Sequence, residues 1–520
     1  MISAILALES ASRSEINRIK NTECKKHGLP RVPSNADLLQ FATPEERPIL
    51  SQLLKKRPVR TISGVAVVAV MTEPQRCPHG KCAYCPGGPE YGVPQSYTGH
   101  EPATLRGIQN GYDPYRQVES RLAQLRAIGH PTQKTELIVM GGDWCSKKRE
   151  YREWFVKSCL DAMNGTVSGS LSVAKQVNER SAVRAVGVTF ETRPDCITPE
   201  SVDQMLEMGA TRVELGVQTL YDSILELVER GHTVDATVRA TQLVRDAGLK
   251  VAYHIMPGLP GSTPESDLAM FEQLFSDPRF RPDMLKIYPT VVVENTKLHE
   301  WYQQGIYRPY STEVLVDMLA RALAKMPEYV RLQRMQRDIP LHQIRAGLDV
   351  GNLRELVEQR MIAEGWRNPT IRFREVGHYE VRTGSHVNCN DLVLVRRDYE
   401  ASRGMEIFLS FEDPESDVIA AFLRLRRPSD GAHRPEILEK PCAIIRELRV
   451  YGPMLELGRR DRSAWQHMGL GERLLREAEA IATECGASRI LVNSGIGVKE
   501  YYRQLGYVDL GEYLARDLSS

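Results

Sequence analysis

Residues 64–88 read GVAVVAVMTEPQRCPHGKCAYCPGG. The opening run, 64–70, is continuously apolar and valine-rich, the pattern of a strand buried on both faces. Directly after it Cys77, Cys82 and Cys85 fall within nine residues, followed by Pro86 and two glycines. Thiolates so close together read as metal ligands. A trio leaves either a fourth partner to be found or a coordination position kept open. His79 would complete a four-ligand zinc site. A cubane iron–sulfur cluster held by three cysteines leaves one iron free for a substrate. Spacing alone fits both.

Apolar runs of the same kind recur downstream at 136–142, 185–191, 212–218, 250–258 and 284–289. Helical patterns separate them, with Thr198 and Thr233 as N-caps and Gly209 and Gly248 as C-terminal stops. Strand–helix alternation of this kind predicts a parallel sheet with right-handed crossovers. Six strands are too few for a closed eight-unit barrel and predict a partial one. Active sites of such barrels lie at the C-terminal strand ends. That rule gathers the cysteine loop, Gly141 and Gly142, Glu191, Gln218, Pro257 and Gly258, and Lys286 around one mouth.

The composition suits a multidomain globular chain: 520 residues, 42% hydrophobic and 26% charged, with a net charge of +1. Ten cysteines in this length do not make a disulfide framework, and reduced thiols in the cytoplasm are expected. The start, MISAILALESASRSE, has no basic region ahead of a sustained apolar run, and no membrane span is expected. Four regions are expected: a basic helical segment (1–63), the partial barrel (64–330), an arginine-rich connector (331–384) and a second α/β unit (385–520). In that last unit QHMGLGERLL (466–475) sets Gly469 and Gly471 at the start of a long amphipathic helix. Glycines there let backbone N–H groups approach a pyrophosphate, although a helix cap explains them equally well. The flanking RELRVYG, RILVNSG and YYRQLGY (446–452, 489–495 and 501–507) supply strand, strand and turn.

Taken together, these stretches carry a resemblance. The cysteine loop after the first barrel strand, with a glycine pair after the second, resembles the radical S-adenosylmethionine (SAM) superfamily, although the cysteine gaps are four and two instead of three and two. The C-terminal pattern is similar to GNAT acetyltransferases. The combination resembles the catalytic subunit of Elongator in a single-chain bacterial or archaeal form, on CAYCPGGP, QSYTGHEP, ETRPD, VELGVQ, RGHT, YHIMPGLPGS, KIYPT, LVRRDY, RELRVYG and QHMGLGERLL.

The resemblance implies a reaction: an adenosyl radical takes hydrogen from the acetyl group of acetyl-CoA, and the acetyl carbon adds to C5 of the wobble uridine of tRNA. Hydrolysis of the thioester then leaves a carboxymethyl group. It also implies roles. Cys77, Cys82 and Cys85 would ligate a [4Fe–4S] cluster. Gly141, Gly142, Glu191 and Arg193 would meet SAM. Gln466, Gly469, Leu470 and Gly471 would hold CoA, with Tyr501 or Tyr502 as proton donor to its sulfur. Lys286 and Tyr288 would face substrate, though a strand-end salt bridge is the plain alternative for Lys286.

Two departures from the family pattern stand out: Asp143 and Trp144 occupy the positions of an expected Thr–Phe, and NPTIRFREVG (368–377) lacks the cysteines some members carry before REVG. His378, His386 and Cys389 are read as scattered surface residues in preference to a second metal site. The tRNA anticodon stem-loop needs phosphate contacts. Residues 1–60 hold five lysines, six arginines and six acidic residues, a net charge of +5, ending in Lys55, Lys56, Arg57 and Arg60. Arg331, Arg334 and Arg337 would share one face if their segment is helical. An electron donor and a possible homodimer complete the expected partners. The competing expectation is a lysine acetyltransferase with a structural cluster.

Overall fold

The computed structural model describes residues 1–7, 13–29, 32–33, 35–43, 45–54, 62, 64–452 and 469–518. The apolar runs form the strands β1 (Ala66–Met71), β2 (Lys134–Met140), β3 (Arg184–Thr192), β4 (Arg212–Gln218), β5 (Lys250–Ile255) and β6 (Met284–Ile287). They pair in chain order, all parallel. A two-stranded ribbon of β7 (Val292–Val293) and β9 (Ile344–Ala346) lies apart from this sheet. Thr198 and Thr233 cap the helices Pro199–Glu207 and Val234–Asp246 as expected, each accepting a backbone N–H three residues on.

A seventh strand joins the six. β8 (Arg331–Arg334) pairs in parallel with β6. The arginines expected on one helix face therefore do not share one. Leu332 is fully buried in the core, while Arg331, Gln333, Arg334 and, beyond the strand, Arg337 line the barrel cavity, the alternation being broken by a register shift at Arg334. Arg331 pairs with Glu375 at 3.0 Å and Arg334 with Asp338, and Arg337 donates to the Ser96 carbonyl. A helical period was read into a stretch whose backbone is committed to the sheet edge, where the Arg331 N–H donates to the Asp283 carbonyl.

The second sheet runs in the order β10 (Val393–Ala401), β11 (Gly404–Asp413), β12 (Val418–Arg427), β13 (Cys442–Val450), β14 (Arg489–Val492), β16 (Tyr513–Asp517), β15 (Val508–Leu510). Only β13 and β14 are parallel, and they pair from Cys442 to Ile445 alone. Beyond Ile445 β13 stays with β12, so a wedge opens beside β14. The helix Leu470–Glu484 packs its buried leucines on this sheet. At the other end of the chain the helices Ile2–Leu6, Arg13–Lys26, Asn35–Phe41 and Glu46–Leu54 share a small core of Ile5, Ile16, Leu38, Leu50 and Leu54. Among the described residues no helix is long and apolar enough to cross a membrane.

The two sheets meet across buried ions. Arg446 of β13 donates both terminal nitrogens to Asp283, the residue preceding β6, at 2.7 and 2.8 Å, and a further bond to the Leu249 carbonyl at 2.9 Å. Arg426 reaches Asp246, and Arg424 the Tyr329 carbonyl at 2.7 Å. Burial works against the charge of Asp283, but Arg446, Arg245 and Arg424 hold its carboxyl far below the usual range. Asp283→Ala, which removes the carboxylate that Arg446 shares with Arg245 and Arg424 and leaves Glu406 on Arg446, is expected to lower stability by about 3–5 kcal/mol in urea titration; a loss under about 1 kcal/mol would contradict this role. Because the folded value is depressed, the contribution is complete above about pH 4, the unfolded value, and is lost only in strong acid.

Candidate active site

The cysteine loop follows the C-terminal end of β1. Gln95 braces it, accepting the Cys77 N–H and donating to the Gly80 carbonyl at 3.2 Å. Cys82 and Cys85 are buried and Cys77 is partly exposed. Burial pushes the Cys77 thiol up to about 11, helped by Asp143, and that of Cys85 to about 12, helped by Cys82 and Cys77. Cys77 and Cys85 therefore stay thiols at neutral pH and become anionic only with a cation beside them.

The geometry bears on the zinc alternative. A tetrahedral zinc with bonds of 2.3 Å needs sulfurs about 3.8 Å apart. Among the described residues, the group of three or more candidate ligand atoms lying within 4.8 Å of one another is Glu191, Glu214 and His254, not the cysteines. His79 does not complete a zinc site either. Its Nε2 lies 3.2 Å from the Cys82 sulfur and 2.9 Å from Nη1 of Arg193. A guanidinium only donates, so Nε2 accepts and its lone pair is engaged. Burial, with Arg193 and Arg230, pulls His79 down to about 4, leaving the ring neutral. As they stand, the three thiols and His79 do not form a closed four-ligand set.

The loop opens onto a cavity of about 620 Å³ lined by Cys77, Cys82, Cys85, Gly142, Glu191, Arg193, Lys286 and Tyr288. Of the residues expected at one mouth, the cysteines, Gly142, Glu191, Gln218 and Lys286 line this cavity, whereas Gly141, Pro257 and Gly258 do not, and Gly258 lines a separate pocket. Gly141 and Gly142 follow β2 with φ of 122° and 99°, a region L side chains rarely adopt. A Cβ on Gly141 would strike the Thr72 hydroxyl, whereas beside Gly142 there is open space. Asp143 and Trp144 serve the fold: Trp144 stacks on Phe190 at 4.7 Å, and Asp143 accepts from Thr192 at 2.7 Å.

Inside the bore Lys286 bridges Glu191, at 3.1 Å, and Glu214. Glu214 also accepts from Arg212 at 3.2 Å and pairs with His254 at 3.0 Å, and the Tyr97 hydroxyl donates to Glu191 at 3.0 Å. Burial opposes both charges at the centre. Nevertheless Lys286 and its neighbours hold Glu214 well below the carboxylate range, while Glu214, Tyr288 and Glu191 raise Lys286 above the ordinary lysine value. Both the salt bridge and the cavity position considered for Lys286 are present. Beside the cysteines, the buried Arg230 directs Nη1 at the Cys82 sulfur, 3.7 Å away. Arg230, Tyr97, Glu214 and His254 were missed in the sequence. The available signal was alternation: Arg212, Glu214, Gly216 and Gln218 face the bore, and Val213, Leu215 and Val217 face the core.

In the second domain Gly469, at φ 71°, caps the helix Leu470–Glu484. The Leu470 side chain is core, so only its backbone can meet a ligand. A Cβ on Gly471 would lie 2.9 Å from the Tyr501 hydroxyl and 3.5 Å from Val450. That contact distinguishes the two tyrosines: Tyr501 is 40% exposed beside the loop, while Tyr502 is 6% exposed and packs on Tyr507. Burial, then Glu472, pushes the Tyr501 phenol up to about 12. His378 lines the cavity, His386 is exposed beside Glu380, and Cys389 is turned to its neighbouring asparagines; no metal set forms from them. Gln466, Lys55, Lys56, Arg57 and Arg60 lie outside the described residues.

A parallel half-barrel with a three-cysteine loop, joined to a wedge-opened sheet with a glycine-led helix, defines a radical SAM domain followed by an acetyltransferase domain. Accordingly, residues 74–274 match the Radical SAM superfamily, 282–363 the Radical_SAM C-terminal domain and 380–507 the Acetyltransferase (GNAT) family. Residues 1–62 match the ELP3 N-terminal domain. Over 519 residues the chain is 51% identical to tRNA uridine(34) acetyltransferase of Methanocaldococcus infernus, covering 98% of this chain and 96% of that protein. It is 42% identical to human Elongator complex protein 3, with 99% and 95% covered. The solved structure of the archaeal Methanocaldococcus infernus Elp3 with an N-terminal deletion superposes with a TM-score of 0.78 at 46% identity, covering 88% of this chain and all of that one. The chain belongs to the Elongator complex protein 3 family of radical SAM acetyltransferases.

Two pairs of substitutions test the geometry. Lys286→Met is expected to cost about 3–5 kcal/mol by leaving two buried carboxylates opposed, and Glu214→Gln in the same chain should recover part of it; no recovery would contradict the pairing. Tyr502→Ala should cost about 3–5 kcal/mol, whereas Tyr501→Phe should leave the melting temperature unchanged.

Proposed function

We propose that the chain is a tRNA-modifying enzyme that carboxymethylates C5 of the wobble uridine, joining radical chemistry in the barrel to acetyl-CoA held by the C-terminal domain. One observation carries this reading. The cavity lined at one end by the three cysteines is lined at the other by Arg449 of β13. On that strand Leu448 and Val450 stand on either side of Arg449 and lie against Gly471. The same strand therefore walls the barrel cavity and borders the glycine loop.

In this reading Cys77, Cys82 and Cys85 hold a [4Fe–4S] cluster, and Gly142, Glu191 and Arg193 meet SAM. Bound there, the reduced cluster and SAM would supply the radical chemistry needed to activate the acetyl methyl C–H bond. The chain's own residues do the rest. Arg230 sets a positive charge 3.7 Å from the Cys82 sulfur, and Arg230 and Arg193 both favour the thiolate of Cys77. The Lys286 ammonium stays protonated between Glu191 and Glu214, so it orients and neutralises rather than accepting a proton. Tyr501, still a phenol at neutral pH, stands by Gly471 as donor to the departing CoA sulfur. An unpaired wobble base enters the cavity splayed from its neighbours. The reading also requires an external electron donor and a cytoplasmic setting with tRNA.

Cys82→Ser, reconstituted anaerobically, is expected to bind less iron than the wild type and to lose both 5′-deoxyadenosine formation and tRNA modification. Modification that persists in this variant contradicts the proposal. Acetylation of a lysine substrate that persists without SAM, with no tRNA product from the wild type, points instead to the lysine acetyltransferase.

A further inference from the structure

At the end of the cavity away from the cysteines, Arg372, in the short helix Ile371–Arg374, and Arg449 of β13 line one wall with Arg331 and His378. Neither Arg372 nor Arg449 makes a hydrogen bond or ion pair among the described residues, although both are half-buried. Nearby carboxylates have other partners. Glu375 engages Arg331 at 3.0 Å, Glu136 engages Arg212, Glu447 engages Arg424 at 3.0 Å, and Glu358 lies 3.9 Å from Arg354. Arg449 lies over the face of Tyr451, 5.5 Å from the ring centre.

We infer that Arg372 and Arg449, flanked by Arg331 and Arg354, form a phosphate-binding site in the wall of the cavity. A guanidinium is always charged, and its fork of donors matches phosphate oxygens. Around them Glu136 and Glu447 act on Arg449, and Glu358 and Glu375 on Arg372, only at a distance, so the donors of both forks are open to the oxygens of an anion. The arginines act on one another: burial and then Arg372 pull Arg354 down to about 10, and burial and then Arg331 lower Arg372. His378, pulled to about 4 chiefly by burial, adds a neutral ring able to donate without adding charge. The site lies where the acetyltransferase sheet meets the barrel. Close by, Ile62 of the N-terminal segment rests on Gly377, whose Cβ would lie 3.0 Å from it.

This inference rests on the functional reading above, in which two phosphate-bearing molecules share the cavity, the RNA backbone and CoA. The chemistry recognised is the same for both. The test uses the full chain and the double variant R372Q/R449Q, which breaks no hydrogen bond and should melt with the wild type. Binding of bulk tRNA is measured at several salt concentrations, and binding of CoA by calorimetry. If the phosphate is RNA's, tRNA affinity falls about tenfold or more and the salt slope drops by about 1–2, with CoA binding unchanged. If it is CoA's, CoA affinity falls by a similar factor and tRNA binding is unchanged. The conservative pair R372K/R449K, which keeps the charge, should restore part of whichever is lost. Wild-type affinities for both ligands in R372Q/R449Q would overturn the site alone. A wild-type chain that binds neither ligand would overturn the functional reading and the site with it.

Discussion

The bidentate contact between Arg446 and Asp283 is the constraint on which the architecture turns. Both groups are fully buried, and neither can be removed from water without the other. Asp283 precedes β6 of the barrel, and Arg446 sits on β13 at the point where β13 leaves β14. Their pairing sets the acetyltransferase sheet against the barrel floor in one arrangement, reinforced by Arg426 on Asp246. Such an interface suits specificity of orientation more than gross stability, because apolar residues would fill the same space at lower desolvation cost. The return is functional. Three residues beyond Arg446, Arg449 faces the barrel cavity, and its neighbours face the glycine loop.

Charge inside the cavity is arranged by the same rule. At the mouth, crowded thiols resist ionisation and are met by Arg193 and Arg230. Midway, Lys286 bridges Glu191 and Glu214, and Arg212 adds a second positive charge at Glu214. At the floor, positive charge exceeds negative. A bore graded in this way has places for a cationic metal centre, for a neutral reacting group and for an anion. These are the chemical classes that a radical enzyme acting on RNA with a thioester co-substrate must hold together.

Much of this was legible in the chain. The valine-rich runs and threonine caps marked the strands and helices because they are local signals with strong physical causes. The strand-end rule then gathered Cys82, Gly142, Glu191 and Lys286 at one mouth before any contact was known. Three things were not legible. β8 is made by pairing with β6, and arginines three residues apart disguised a strand as a helix face. Glu214 and His254 sit within apolar strands, where nothing local reveals that Lys286, from another strand, will meet them. Tyr501 and Tyr502 are adjacent in sequence, and only the packing of Gly471 shows which one borders the loop. In each case the deciding partner is distant in sequence.

The central claim is that one cavity unites the two chemistries, and transfer of acetyl carbon tests it most directly. Anaerobically reconstituted chain would be given reductant, SAM, bulk tRNA and acetyl-CoA labelled in both acetyl carbons, and the digested tRNA examined by mass spectrometry. The account predicts labelled carboxymethyluridine at the wobble position, formed only when SAM is present. Turnover to 5′-deoxyadenosine with no label on uridine would contradict it, leaving a radical barrel and an acetyltransferase that share a wall but not a reaction.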